Sequence, residues 1–247
     1  MLPTGSRDPD VVGRLPILLT VLTPHDGGAP LDAVPAIERF TSYGRALYRV
    51  RVLLHAAGRW EVGATATDGS GRTGSTRLEV SPDAGTPALG SKVPGGATPT
   101  LRDAGSLLRS ISSDPEPLAA FYVSSLDETL ANGQPLAFVV DSYAFRPNAA
   151  CGGALGILHE IFIEYQALTV VHAEPWRMRF SEGQLTLEPP EGPASLAEWS
   201  HAWSVSERAW IFVVDTDGRL HAKFTDVLGT DELRAALGSV TALGASG

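Results

Sequence analysis

The sequence predicts an antiparallel β-sandwich over residues 1–82 and an α/β domain over residues 118–243, joined by a Pro/Gly-rich linker over 83–117. Three observations carry this division. Apolar and polar residues alternate with a period of two over residues 46–80, with an Asp-Gly turn between runs. Prolines and glycines then interrupt every short run up to Pro117, which leaves no room for a long helix. Beyond that point helical periodicity alternates with short continuous apolar runs, the pattern of helices covering a buried sheet.

In the first region, residues 15–23 form an apolar, partly β-branched run that Pro24-His25-Asp26-Gly27-Gly28 ends. In residues 46–53, Tyr48, Val50 and Val52 fall on one side, and Arg49 and Arg51 on the other. Residues 59–67 alternate again, and Asp68-Gly69-Ser70-Gly71 turns the chain into a further strand at 74–80. Some eighty residues is short for a full sandwich, which leaves room for a missing first strand.

In the last region, Ser125-Leu126-Asp127-Glu128 is a capping box that opens a short helix, and Asn132-Gly133 closes it. The run Leu136-Ala137-Phe138-Val139-Val140 predicts a central strand buried on both faces. A helix over 153–165 places Leu155, Leu158, Ile161, Phe162 and Tyr165 on one face. Residues 168–174 form a strand, 195–203 a helix, and 210–215 a third buried strand. Between them, residues 177–193 read as a long insertion. Asp217-Gly218 makes a hairpin to residues 219–224, so Asp215-Thr216-Asp217-Gly218 is a turn and not a calcium loop, which would need a glutamate further on. Thr230 caps the last helix, with Asp231 and Glu232 in the first turn where the helix dipole favours them.

Composition narrows the function. Of 247 residues, 43% are hydrophobic and 19% charged, enough apolar material for a core. The net charge of −9 argues against nucleic acid or anionic lipid as a partner. No apolar run is long enough to span a membrane, and the opening Met1-Leu2-Pro3-Thr4-Gly5-Ser6-Arg7-Asp8-Pro9 is not a secretion signal. The chain on this reading is cytoplasmic, or a mature or shortened form. Cys151 is the only cysteine, which excludes an intramolecular disulfide and any multi-cysteine zinc or iron–sulfur site. No cofactor is expected.

The order helix, strand, helix, strand, helix, strand, strand, helix resembles the thioredoxin fold, with Cys151-Gly152-Gly153-Ala154 where thioredoxins carry their Cys-Gly-Pro-Cys motif. More narrowly, the chain resembles a family of bacterial envelope proteins that join an immunoglobulin-like β domain to a thioredoxin-like domain. Thr86-Pro87-Ala88-Leu89-Gly90, Thr98-Pro99-Thr100-Leu101-Arg102-Asp103, Gly133-Gln134-Pro135-Leu136, Val171-His172-Ala173-Glu174 and residues 210–219 carry that likeness. The resemblance implies an extracytoplasmic, envelope location. Three departures stand out. Ala154 occupies the place of the resolving cysteine, Arg146 that of another cysteine usual in the narrower family, and Ala209, before Trp210, that of a cis-proline. A cis bond before a non-proline residue costs about 2.5–4 kcal/mol, so a trans bond and an altered binding edge are expected there.

These departures make dithiol turnover within one chain impossible, and the leading expectation is a non-catalytic binding or assembly module for a protein partner. The candidate site is Cys151, with Arg146, Gly152, Ala209 and Trp210 as binding candidates. The alternative is a monothiol oxidoreductase: a thiol at a helix N-terminus is stabilised as thiolate, and Arg146 would assist it, with the resolving thiol from a partner or a second copy in a homodimer. A third reading is delivery of copper by Cys151 with His172, Glu174 and His201, against which His172 reads as a structural histidine. Trp176, Trp199, Trp203 and Trp210 pack in the core or line an exposed aromatic groove.

Overall fold

A computed structural model describes residues 17–24, 38–42, 45–49, 52, 54, 56–66, 70–83, 85–105, 107–145, 154–188, 196–205, 208–225 and 230–244. The chain divides into two compact units, Met1–Ala84 and Gly85–Gly247.

In the first unit, β4 (Gly58–Ala66) lies between β1 (Ile17–Pro24) and β5 (Thr73–Val80), antiparallel to both. The β1–β4 register shifts between Leu19 and Val21. A separate hairpin pairs β2 (Glu38–Ser42) with β3 (Arg45–Arg49), Phe40 opposite Leu47. Trp60 anchors β4: its side chain is buried and its indole N–H donates to the Ala56 carbonyl at 3.0 Å. The sequence reading passes over β2, because Glu38-Arg39-Phe40-Thr41-Ser42 offers a single apolar residue to a period-two test. The predicted run at 46–53 is described as strand only as far as Arg49.

The second unit is built on one four-stranded sheet in the order β11-β10-β6-β7: β6 (Leu136–Val140), β7 (Thr169–Ala173), β10 (Trp210–Val214) and β11 (Leu220–Thr225). β6 and β7 are parallel, and β10 runs antiparallel to β6 and β11. Every residue of β6 is buried, as a central strand covered on both faces requires. The alternation of strand side chains then sorts the core. Ala137, Val139, Val170, Ile211 and Val213 pack with Leu155, Leu158 and Ile161 of α3 (Ala154–Ile161) and Leu233, Leu237 and Val240 of α5 (Thr230–Gly244). On the other face Leu136, Phe138, Val140, Phe212 and Val214 meet Leu126 of α2 (Leu126–Ala131), together with Trp199 and Trp203 of α4 (Glu198–Trp203). Ring centroids of Phe138 and Trp203 lie 4.9 Å apart, and those of Trp203 and Phe212 4.7 Å, so three large rings fill the centre of that face.

The predicted capping box is present on α2: the Ser125 hydroxyl accepts from Glu128 N–H and the Glu128 carboxylate accepts from Ser125 N–H. A second, unpredicted one opens the four-residue α1 (Leu101–Ala104) with Thr100 and Asp103. The Pro/Gly-rich stretch is tied down along β11. Gly90 N–H donates to the Leu220 carbonyl, Leu220 N–H to the Ser91 carbonyl and Val93 N–H to the Gly218 carbonyl, while Lys223 Nζ reaches Thr86 Oγ1 and the Pro87 carbonyl. The predicted hairpin at Asp215 closes through its carboxylate, which accepts from the N–H groups of Asp217 and Arg219. Within the insertion at 177–193, β8 (Met178–Ser181) and β9 (Gln184–Leu187) make a hairpin whose turn holds Glu182 and Gly183 at φ of 53° and 78°. Among the described residues, no helix is long and apolar enough to cross a membrane.

Candidate functional site

The parallel strands β6 and β7 end side by side, Val140 pairing with Ala173, while Trp210 at the start of β10 pairs with Val140. The residues just beyond this row are Asp141, Glu174 and Ala209. Carboxyl ends of parallel strands are where open α/β sheets place their ligand crevices, since the backbone there leaves the sheet and frees side chains to converge.

Two polar side chains of β7 and its extension are buried here. His172 is 1% exposed and has both ring nitrogens engaged. Its Nε2 lies 3.1 Å from the Asp141 carbonyl, which can only accept, so the proton sits on Nε2 and Nδ1 accepts from the Tyr122 hydroxyl at 2.6 Å. Burial pushes this imidazole down to about 4 and raises the Tyr122 phenol, so both are neutral at pH 7. No lone pair of His172 remains for a metal, which makes it a structural histidine.

Glu174 is 4% exposed and differently placed. Its Oε1 accepts from both the N–H and the hydroxyl of Ser113, each at 2.6 Å, and its Oε2 has no hydrogen-bond partner among the described residues. Burial pushes the carboxyl up to about 7, against the opposing pull of the Ser113 and Ser142 hydroxyls, and the Asp141 charge adds to the rise. The Ser113 hydroxyl also accepts from the N–H groups of Tyr143 and Ala144 at 2.8 and 3.0 Å. One hydroxyl thereby joins the end of β7 to the chain leaving β6, with its donor and both lone pairs used.

Glu174 lines a pocket of about 1160 Å³. Its walls come from the Gly96–Pro99 stretch, the turn at Ser110 and Ile111, the chain from Trp176 into β8, and α4 with Leu196 before it. Ile111, Met178, Leu196 and Trp199 supply apolar surface. The Trp176 indole N–H has no hydrogen-bond partner among the described residues. Trp176 and Trp199 thus combine the two readings of the tryptophans, since Trp199 also packs on Phe138 with centroids 5.3 Å apart. The sequence reading singled out Glu174, Trp176 and Trp199 but did not join them, because the pocket depends on the Gly96–Pro99 stretch and Ile111 arriving from distant segments.

Of the other candidates, Ala209 is buried in the α3/α5 core and its carbonyl accepts from the Thr225 hydroxyl at 2.9 Å. Trp210 is half-buried and stacks on Phe212 at 5.4 Å and 11°. Cys151, Gly152 and Arg146 lie outside the described residues. Ala154 begins α3 and is buried. His201 is exposed and lines the same pocket as Glu174. Among the described residues no three His, Cys, Asp or Glu side chains group as metal ligands. No known family model and no curated protein matches the chain.

Proposed function

We propose that the chain is a redox-degenerate thioredoxin-like protein, preceded by an immunoglobulin-like β domain, that serves as a non-catalytic binding or assembly module of the cell envelope and holds a protein partner. The observation that carries this reading is the single cysteine among 247 residues: a dithiol–disulfide cycle needs two thiols, and Ala154 stands where the second would be. The strand order β11-β10-β6-β7 with β6 and β7 parallel supports the thioredoxin-like part. The pocket beside Glu174 supports binding, since it offers unpartnered polar atoms in an apolar wall. The envelope address rests on the resemblance of the motifs alone.

The competing enzyme reading is a monothiol oxidoreductase using Cys151, with a resolving thiol in trans or in a homodimer. Iodoacetamide alkylation of Cys151 in the native protein, followed by mass spectrometry from pH 5 to pH 9, separates the two. A binding module gives a thiol that is inert or titrates near the ordinary value of about 8.5. A thiolate formed below about pH 7 supports the oxidoreductase and overturns the binding module. The third reading, copper delivery centred on Cys151, gains no support from His172, whose nitrogens are both engaged.

A further inference from the structure

The pocket contains an electrostatic mismatch. Glu174 is almost wholly enclosed, one of its oxygens is saturated by Ser113, and Oε2 has no hydrogen-bond partner among the described residues, the Ser142 hydroxyl being the other group that favours the ionised carboxyl. An ionised carboxylate in such a place is costly unless a cation completes it. The charged side chains of the lining point the same way. Glu174, Glu188 and Glu198 face one guanidinium, Arg177, and the His201 imidazole, and Glu188 has its own partner in Arg179 at 3.6 Å. Among the described residues, the groups around the carboxyl from the elements beneath it supply no lysine or arginine: Asp141 follows β6, His172 on β7 is neutral, Tyr122 and Asp114 carry acidic groups, and the His159 imidazole lies 3.4 Å from Asp114. Next to this acceptor the wall is apolar and aromatic, with Trp176, Trp199, Met178 and Leu196, and indole faces attract cations as well as hydrocarbon.

We propose that this pocket binds an ammonium group attached to an apolar body, with the nitrogen donating to Glu174 Oε2 and the body lying against Trp176, Trp199 and Met178. Two sources share this chemistry, a free organic amine and the α-amino end of a peptide whose first residue is apolar. The proposal names the ligand class of the binding module described above and rests on that reading. Because the Glu174 carboxyl titrates near neutrality, binding of a protonated amine leaves the carboxylate ionised and releases a proton from the fraction of molecules that held one.

Isothermal titration calorimetry on the full chain tests this with 2-phenylethylamine, the tripeptide amide Phe-Ala-Ala with a free N-terminus, its N-acetylated form, and 3-phenylpropionate. The expected result is saturable binding of the amine, the free tripeptide or both, with proton release at pH 7 seen as a heat that depends on the buffer. Acetylation and the carboxylate probe each weaken binding at least tenfold. Binding by the amine alone assigns the site to small amines, and binding by the tripeptide alone to peptide ends. E174Q weakens binding at least tenfold, and L196W, which adds bulk to the pocket wall, does the same in a protein whose circular dichroism is unchanged. No binding of either cation, equal binding by E174Q, or tighter binding of 3-phenylpropionate overturns the proposal. Those outcomes leave the Cys151 alkylation profile untouched, so the ligand class and the binding-module reading fail separately.

Discussion

His172 and Glu174 stand two residues apart at the end of one strand, and the same burial drives both toward neutrality, with opposite consequences for stability. The unfolded imidazole takes up a proton near 6.5 and the folded one only near 4, so acidification through that window favours the unfolded chain. The unfolded Glu174 loses its proton near 4.5 and the folded one near 7, so raising the pH through that window also favours the unfolded chain. The two trends oppose each other where the windows overlap. Glu174→Gln removes one of them. Its stability relative to the parent rises between pH 4.5 and pH 7.5 by on the order of 3 kcal/mol, read from urea unfolding at half-unit steps; a difference that ignores pH contradicts the burial argument. Tyr122→Phe takes the only donor from His172 Nδ1 and lowers stability by about 1–3 kcal/mol in the same assay. The sequence showed both residues at the spacing that places them on one side of a strand. It did not show that Tyr122 and Ser113 would meet them, because those contacts cross 50 and 61 residues of chain.

At the level of elements, strong local signals proved legible and weak ones did not. The apolar run of β6, the Ser125–Glu128 capping box and the Asp215 turn each carry their signal within a few consecutive residues. The β8–β9 hairpin was hidden because its strands are four residues each and its turn is Glu182-Gly183, not the Asn-Gly or Asp-Gly pair that marks such turns. That turn matters for the pocket, since Met178 opens β8 and Glu188 follows β9. Gly183→Val forces a β-branched residue to a φ near 78° and destabilises the hairpin by about 1–2 kcal/mol; faster amide hydrogen exchange across residues 178–187 than in the parent protein, with the β11-β10-β6-β7 sheet unchanged, is the expected readout. Gly96 packs the linker against α4. A Cβ at that position would stand 2.5 Å from the Trp199 Cβ, so Gly96→Ala displaces one or the other and lowers the unfolding midpoint by an amount equivalent to about 1–3 kcal/mol.

Over the whole molecule, the sequence order of helices and strands and the sheet order β11-β10-β6-β7 describe an α/β unit whose parallel strands end beside a pocket. That unit begins at Gly85, so the stretch read as a linker from composition is held to it by hydrogen bonds along β11. Composition could not reveal this, because Pro and Gly mark where regular structure stops and say nothing of what the chain lies against. The account of function turns on a count legible from the start: one thiol per chain cannot complete a dithiol cycle. Dithiothreitol-driven reduction of insulin, followed by turbidity, tests this most directly. The account predicts a rate within twofold of dithiothreitol alone, the same for the parent and Cys151→Ser, and on the order of 1,000-fold below a dithiol thioredoxin, about 4 kcal/mol of barrier. Turnover comparable with a thioredoxin, lost in Cys151→Ser, would contradict it.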